Sequence, residues 1–259
     1  MGLGLGLSNK IDRVRTEIAY QLQNLTTSPR KSLRAAYLQP SDMCEPDKLM
    51  LYSLVRGLRP KRVLEIGVRW GGGARIISAA LEDNGGEGAA VGIDPETAAF
   101  RPNGRDLHNR YSLLEGYSPG AIDAAVKKLG GKVDFCLIDA MHTHDHVLAD
   151  LSGVLPHLET GGHIALHDTF HAGINAAVGE VLAQAPHLAD CGFLTRHPEI
   201  RDGVPVAYQG LRLLRVGPVD DAGLISASFS EKGRTADLSP SIHNWDHHWN
   251  RIKDQQPAS

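Results

Sequence analysis

The chain predicts an α/β fold organised on a parallel, doubly wound sheet, and three observations lead there. An apolar strand, Val63-Leu64-Glu65-Ile66, runs into the turn Gly67-Val68-Arg69-Trp70-Gly71-Gly72-Gly73 and then into a helix. Glycines in such a turn let backbone approach a ligand closely, and the helix behind it offers unpaired N–H groups. Apolar runs of strand length then alternate with helical segments, as parallel strands joined by crossovers require. Finally, Glu65, Asp94, Asp139, His167 and Asp168 fall at the carboxyl ends of the expected strands, the edge at which open α/β sheets bind ligands.

Taken in order, Ile11, Val14, Ile18, Leu22 and Leu25 recur at helical spacing behind Ser8 and Asn9, predicting an amphipathic helix outside the sheet. Such a helix packs on the domain, covers its ligand edge or joins two copies, and the pattern suits all three. A second helix spans 46–58 and leads into the first strand at 62–66. Helices at 74–81, 119–129, 145–157 and 172–185 alternate with strands at 91–94, 111–115, 133–139 and 163–167. Two later strand candidates, 192–195 and 211–216, suit an antiparallel closing hairpin. Beyond Pro218 the chain turns polar until Trp245 and Trp249, whose spacing predicts a short docked helix. The expected division is a helical cap over 1–59, one α/β domain over 60–217 and a polar extension over 218–259.

Composition sets outer limits. With 42% hydrophobic and 22% charged residues, 259 residues can bury a substantial core. A net charge of −3, a pI near 6.5 and scattered Lys and Arg predict no nucleic-acid partner. Cys44, Cys136 and Cys191 fit neither a zinc knuckle nor a disulfide framework. No apolar run approaches the ~20 residues needed to cross a bilayer, and the Gly/Leu start lacks a basic leader, so a cytoplasmic protein is expected.

The stretch Glu65-Ile66-Gly67-Val68-Arg69-Trp70-Gly71-Gly72 resembles the first motif of class I S-adenosylmethionine-dependent methyltransferases, and Val91-Gly92-Ile93-Asp94-Pro95 resembles their second strand. Phe135-Cys136-Leu137-Ile138-Asp139, Met141-His142 and the run from Gly161 to Thr169 are similar to a bacterial O-methyltransferase group that includes macrolide-sugar and rhamnosyl methyltransferases. The resemblance implies a Rossmann-like class I methyltransferase fold, a mostly parallel seven-stranded sheet with helices on both faces. It implies that Gly67, Gly71 and Gly72 shape the S-adenosylmethionine cradle, with Asp139 beside it. Asp94 would accept hydrogen bonds from the ribose, and Ser118 would lie near the adenine. Capping a helix that begins at Pro119 is an equally good reading of Ser118. A carboxylate at Glu65 would repel a pyrophosphate and favour the cationic amino acid part of S-adenosylmethionine.

In metal-dependent members of the group, a carboxylate after the fourth strand and an acid pair, or an acid and an amide, hold Mg²⁺ over the acceptor hydroxyl. The matching positions are Asp139, His167 and Asp168. His167 departs from the pattern, because imidazole suits Mn²⁺, Fe²⁺ or Zn²⁺ better than hard Mg²⁺. Either the cation is softer or His167 supports the ligands from behind; Mg²⁺, with Mn²⁺ as the alternative, is the expected ion. A bound cation lowers a hydroxyl's pKa and fixes its position. The expected base is His144, at the usual place of a Tyr in the related Asp-x-x-His-Ser-Tyr pattern, with His142 next and His171 in the same region. Asp150 is expected to pair locally, and His243, His247 and His248 to form a polar helical face.

The acceptor implied by the resemblance is a hydroxyl of a saccharide or glycosylated natural product, and the implied assembly is a homodimer. A catechol would chelate the same cation, although 5% aromatic residues lend little to a flat aromatic pocket. A nicotinamide-dependent dehydrogenase is opposed by the missing Gly-x-Gly-x-x-Gly order and by the acid at the strand end. The third alternative is a binding protein that keeps the fold without catalysis.

Overall fold

The computed structural model describes residues 33–34, 36–39, 41–195, 200–201, 204–205 and 209–217. The expected helices around 11–25 and Trp245/Trp249 lie outside the described residues. The elements run α1 (Glu45–Leu58), β1 (Arg62–Ile66), α2 (Gly72–Asp83), β2 (Ala89–Asp94), β3 (Tyr111–Glu115), α3 (Ile122–Leu129), β4 (Val133–Ile138), α4 (His144–Val154), β5 (Leu158–Leu166), α5 (Ala172–Gln184) and β6 (Leu188–Phe193). A small hairpin of β7 (Ile200–Arg201) and β8 (Val204–Pro205) follows, and then β9 (Arg212–Val216).

Seven strands form one sheet in the order β3-β2-β1-β4-β5-β9-β6, with β9 antiparallel to both its neighbours. The order reverses between β1 and β4, which is where open α/β sheets leave a ligand crevice. Register makes that crevice level: Ile66 lies opposite both Ile93 and Ile138. The ladder continues past the strand ends, as Gly67 N–H donates to Ile93, Asp139 N–H to Ile66 and His167 N–H to Ile138. Gly67, Asp94, Asp139 and His167 therefore stand side by side.

Strand alternation divides the core into two layers. Leu64, Ile66, Cys136, Ile138, Ile164 and Leu166 face α3, α4 and α5, whereas Val63, Phe135, Leu137 and Ala165 face Leu51 and Val55 of α1 and Ile76, Ile77 and Leu81 of α2. Each fully buried aliphatic side chain contributes about 1.5–3 kcal/mol. Helices thus cover both faces of the sheet, as expected, and no described helix is long and apolar enough to cross a membrane.

Three boundaries depart from the sequence pattern, each for a local reason. Gly161 and Gly162 look like a turn but lie inside β5, where the β4–β5 register shifts, so the strand begins at Leu158 and accommodates them as a bulge. The helix expected from 145 to 157 ends at Val154 and tightens into a 3-10 turn at Pro156, which lacks the N–H that would continue it. β6 starts at Leu188, four residues earlier than expected, because Asp190 breaks the apolar signal; in the fold its charge is paired with Arg212 on the adjacent strand.

Candidate active site

The glycine turn is held from two sides. Gly67 has φ +84, and a Cβ there would overlap the Asp139 carbonyl, so only glycine lets the ends of β1 and β4 touch. Asp94 secures the turn itself: Oδ2 accepts from Val68 N–H at 2.8 Å and Arg69 N–H at 2.7 Å, while Oδ1 accepts from Glu96 N–H at 2.7 Å. A carboxylate has about four acceptor positions, so one remains on Oδ1. Gly71 is the left-handed cap of α2 and packs against Phe100 and Pro102, and Gly72 packs against Ser41.

Glu65 is not open at the rim. Alternation along β1 directs it to the α2 face with Val63, beneath Gly73, where it is 1% exposed and accepts a hydrogen bond from the Tyr111 hydroxyl. Burial pushes its carboxyl up to about 8; the Tyr111 bond opposes this, while the charges of Asp139 and Asp94 add to it. At neutral pH the group is mainly protonated in this structure, so the expected fixed negative charge is absent. Ser118 lies in the turn after β3. It does not cap the helix, because α3 begins at Ile122 with Ala121 as its N-cap residue. The nearby Asp150 is buried, and burial raises its pKa.

Across the crevice, Asp139, His142 and Asp168 converge, one ligand atom from each lying within 4.8 Å of the others. His142 Nε2 is 3.0 Å from Asp168 Oδ2, and that hydrogen bond raises the His142 pKa. Asp168 has φ +54, a conformation uncommon for a residue with a Cβ and enriched at functional sites. Its Oδ1 is buried without a hydrogen-bond partner, 3.5 Å from His167 Nδ1.

Of the two places the sequence leaves open for His167, ligand or support from behind, it takes the second. It is fully enclosed, with Nε2 3.1 Å from Asp47 Oδ2 and Nδ1 2.9 Å from Asp139 Oδ1. Both ring nitrogens are therefore engaged, and neither points to an open position. Burial alone would lower its pKa, but the surrounding carboxylates, Asp139 first, raise it well above the ordinary value. Asp47 is anchored in turn by Thr195 Oγ1 and by Gly210 N–H at 2.9 Å. His167 Nδ1 also lies 3.5 Å from Asp168 Oδ1, so both histidines reach the carboxylate pair, His167 from the buried side and His142 from the half-buried one.

His144 opens α4 and turns away from this cluster. Its Nδ1 is 2.9 Å from Asp145 Oδ1 and its Nε2 3.1 Å from Glu180 Oε2 on α5. The hydrogen bond to Asp145, then that to Glu180, raises its pKa. His171 caps α5, accepting from Gly173 N–H.

Residues 64–169, which hold the turn and the cluster, match the family described as "Methyltransferase domain". That match covers 106 of the 259 residues. The rhamnosyl O-methyltransferase of Mycobacterium tuberculosis (strain ATCC 25618 / H37Rv) is 26% identical over 116 residues, 43% of this chain and 47% of that protein. The match thus spans about half the length of the curated relative. Among solved structures, a putative O-methyltransferase from Klebsiella pneumoniae matches with a TM-score of 0.53 at 19% identity, covering 74% of this chain and 89% of the other. An O-methyltransferase of tomaymycin synthesis from Streptomyces achromogenes, solved with S-adenosylmethionine, matches with a TM-score of 0.54 at 17% identity, covering 73% and 90%. These likenesses show the fold alone, a mostly parallel seven-stranded Rossmann-like sheet with helices on both faces.

Sequence reasoning missed Asp47, Thr195 and Gly210. Asp47 follows Pro46 in the first turn of α1, where an acid is ordinary, and no local signal connects it with a histidine 120 residues later.

Proposed function

We propose that the protein transfers a methyl group from S-adenosylmethionine to a saccharide hydroxyl, with a divalent cation between Asp139 and Asp168 and His142 as the base. One observation carries this reading: the convergence of Asp139, His142 and Asp168 beside the glycine turn, with a buried Asp168 oxygen that has no hydrogen-bond partner and stands 3.5 Å from the His167 imidazole. The imidazole offsets part of the cost of burying that oxygen, and a cation bound there would offset the rest. Two carboxylates fit Mg²⁺ completed by water, and the adjacent imidazole widens the fit to Mn²⁺. When bound, the cation would lower the acceptor hydroxyl's pKa and hold its oxygen in place.

The chain's own residues supply the rest. His167, gripped by Asp47, fixes one oxygen of Asp139 and leaves the other for the cation. Asp168 would divide its work, Oδ2 supporting His142 and Oδ1 helping to hold the cation. His142, with its Nε2–H donated to Asp168, would take the hydroxyl proton at its other ring nitrogen, and Asp168 would stabilise the resulting imidazolium. The turn of Gly67, Gly71 and Gly72 would shape the cradle, the open position on Asp94 would take one ribose hydroxyl, and Ser118 would border the adenine. S-adenosylmethionine supplies the methyl group as a sulfonium. The saccharide acceptor is supported by the similarity to a rhamnosyl O-methyltransferase.

Labelled S-adenosylmethionine incubated with the full chain and rhamnose-bearing acceptors tests this. Labelled product that disappears with a chelator and returns with Mg²⁺ or Mn²⁺ is expected. Product formed equally well in chelator would remove the cation, and donor binding without product on any hydroxylated acceptor would remove the activity.

A further inference from the structure

Arg75, the fourth residue of α2, is 5% exposed, and its Nε is buried without a hydrogen-bond partner. Among the described residues no ion pair reaches it; the carboxylate of Asp106 acts on it only from a distance. A guanidinium keeps its charge at physiological pH, so leaving it buried and unpaired is unfavourable. Beside it is a cavity of about 480 Å³, lined among the described residues by Gln39, Trp70, Arg75 and Arg101. Arg101 is held there by its bond to the Ala98 carbonyl at 2.8 Å. Trp70 is 39% exposed and braced by the Arg69 guanidinium, 4.7 Å from its ring and tied at 3.0 Å to Asp42.

We infer that this cavity binds a phosphate-bearing ligand, with Arg75 and Arg101 on the phosphate oxygens and Trp70 against the organic part. The described lining holds two guanidiniums and no carboxylate. Planar guanidinium forks match phosphate, whose several oxygens and greater charge use two of them better than a carboxylate does. The volume lies in the range that encloses a small organic molecule of nucleotide size. Trp70 belongs to the glycine turn, so a ligand bound here borders the methyl-transfer crevice. An acceptor sugar carried on a phosphate would satisfy both sites, but phosphate binding itself does not depend on methyl transfer.

Calorimetric titration of the full chain with inorganic pyrophosphate, a nucleoside monophosphate and the free nucleoside tests the inference. The two phosphates should bind saturably and the nucleoside should not. Arg75→Gln should weaken both by about tenfold or more, the loss of a charged hydrogen-bond donor, while S-adenosylmethionine affinity stays unchanged. Arg75→Lys should retain part of the binding. If Arg75→Gln does not fold by circular dichroism, Arg101→Gln at the exposed wall should still weaken pyrophosphate several-fold. Absent saturation, equal affinity in the variants, or a loss confined to S-adenosylmethionine would each overturn the assignment; the last would make the donor's carboxylate the anion.

Discussion

Glu65 offers the sharpest test of how the turn is built. Its carboxyl titrates at about 8 in the folded chain against an ordinary 4.5, with burial as the leading cause. Between those values the folded state keeps a proton that the unfolded chain has released, so stability falls as pH rises through that window. At ~1.4 kcal/mol for each tenfold in proton affinity, the gap amounts to about 5 kcal/mol as a ceiling. Glu65→Gln keeps a carbonyl oxygen for the Tyr111 hydroxyl and removes the titration. In urea denaturation series from about pH 5 to pH 9, the variant should gain on the wild type steadily, by as much as about 5 kcal/mol at the alkaline end. Parallel pH profiles for the two proteins would refute the buried, protonated carboxyl and would restore an open acid at the rim.

Other expectations concern the cluster and the sheet. His142→Ala should lower turnover by ~10²-fold or more, whereas His144→Ala should stay within a few-fold of wild type; the reverse order would return the base to His144. Because Asp168 raises the His142 pKa, the acidic limb of the wild-type rate profile should lie above the ordinary 6.5 and be lost in His142→Ala, as steady-state rates across pH would show. Asp139→Asn should abolish metal-stimulated turnover while leaving S-adenosylmethionine affinity largely intact, measured by calorimetry. Arg212 is buried against Asp190, at 2.5 and 3.1 Å, and Asn175, at 2.8 Å, so Arg212→Ala should cost about 3–5 kcal/mol in denaturant unfolding by leaving Asp190 unpaired.

Much of the fold was legible because its signals are local. Apolar runs mark β1 to β4, and the acids and glycines that follow them mark the ligand edge. The failures share a cause: a side chain whose partner lies far along the chain. Asp190 hides a strand because its charge is neutralised by Arg212, and Gly161-Gly162 mimics a turn because strand register is not written locally. At the site, Asp139, His142, His167 and Asp168 could all be placed at one edge. Which of them face one another could not, since the orientation of His167 depends on Asp47 of α1, and Asp47 on Thr195 and Gly210. Glu65 could be placed on its strand, yet its protonation follows from burial beneath Gly73, against the opposing Tyr111 bond, and only packing reveals either.

S-adenosylmethionine is expected in the crevice above β1, β2 and β4. Titrating that donor into the full chain by calorimetry, in parallel with NAD, tests this directly. Saturable binding of one donor per chain is expected, with no binding of NAD and a donor affinity weakened by about tenfold or more in Asp94→Ala, which loses the turn's anchor and the proposed ribose acceptor. Absent donor binding, or saturable NAD binding at the same crevice, would contradict that expectation.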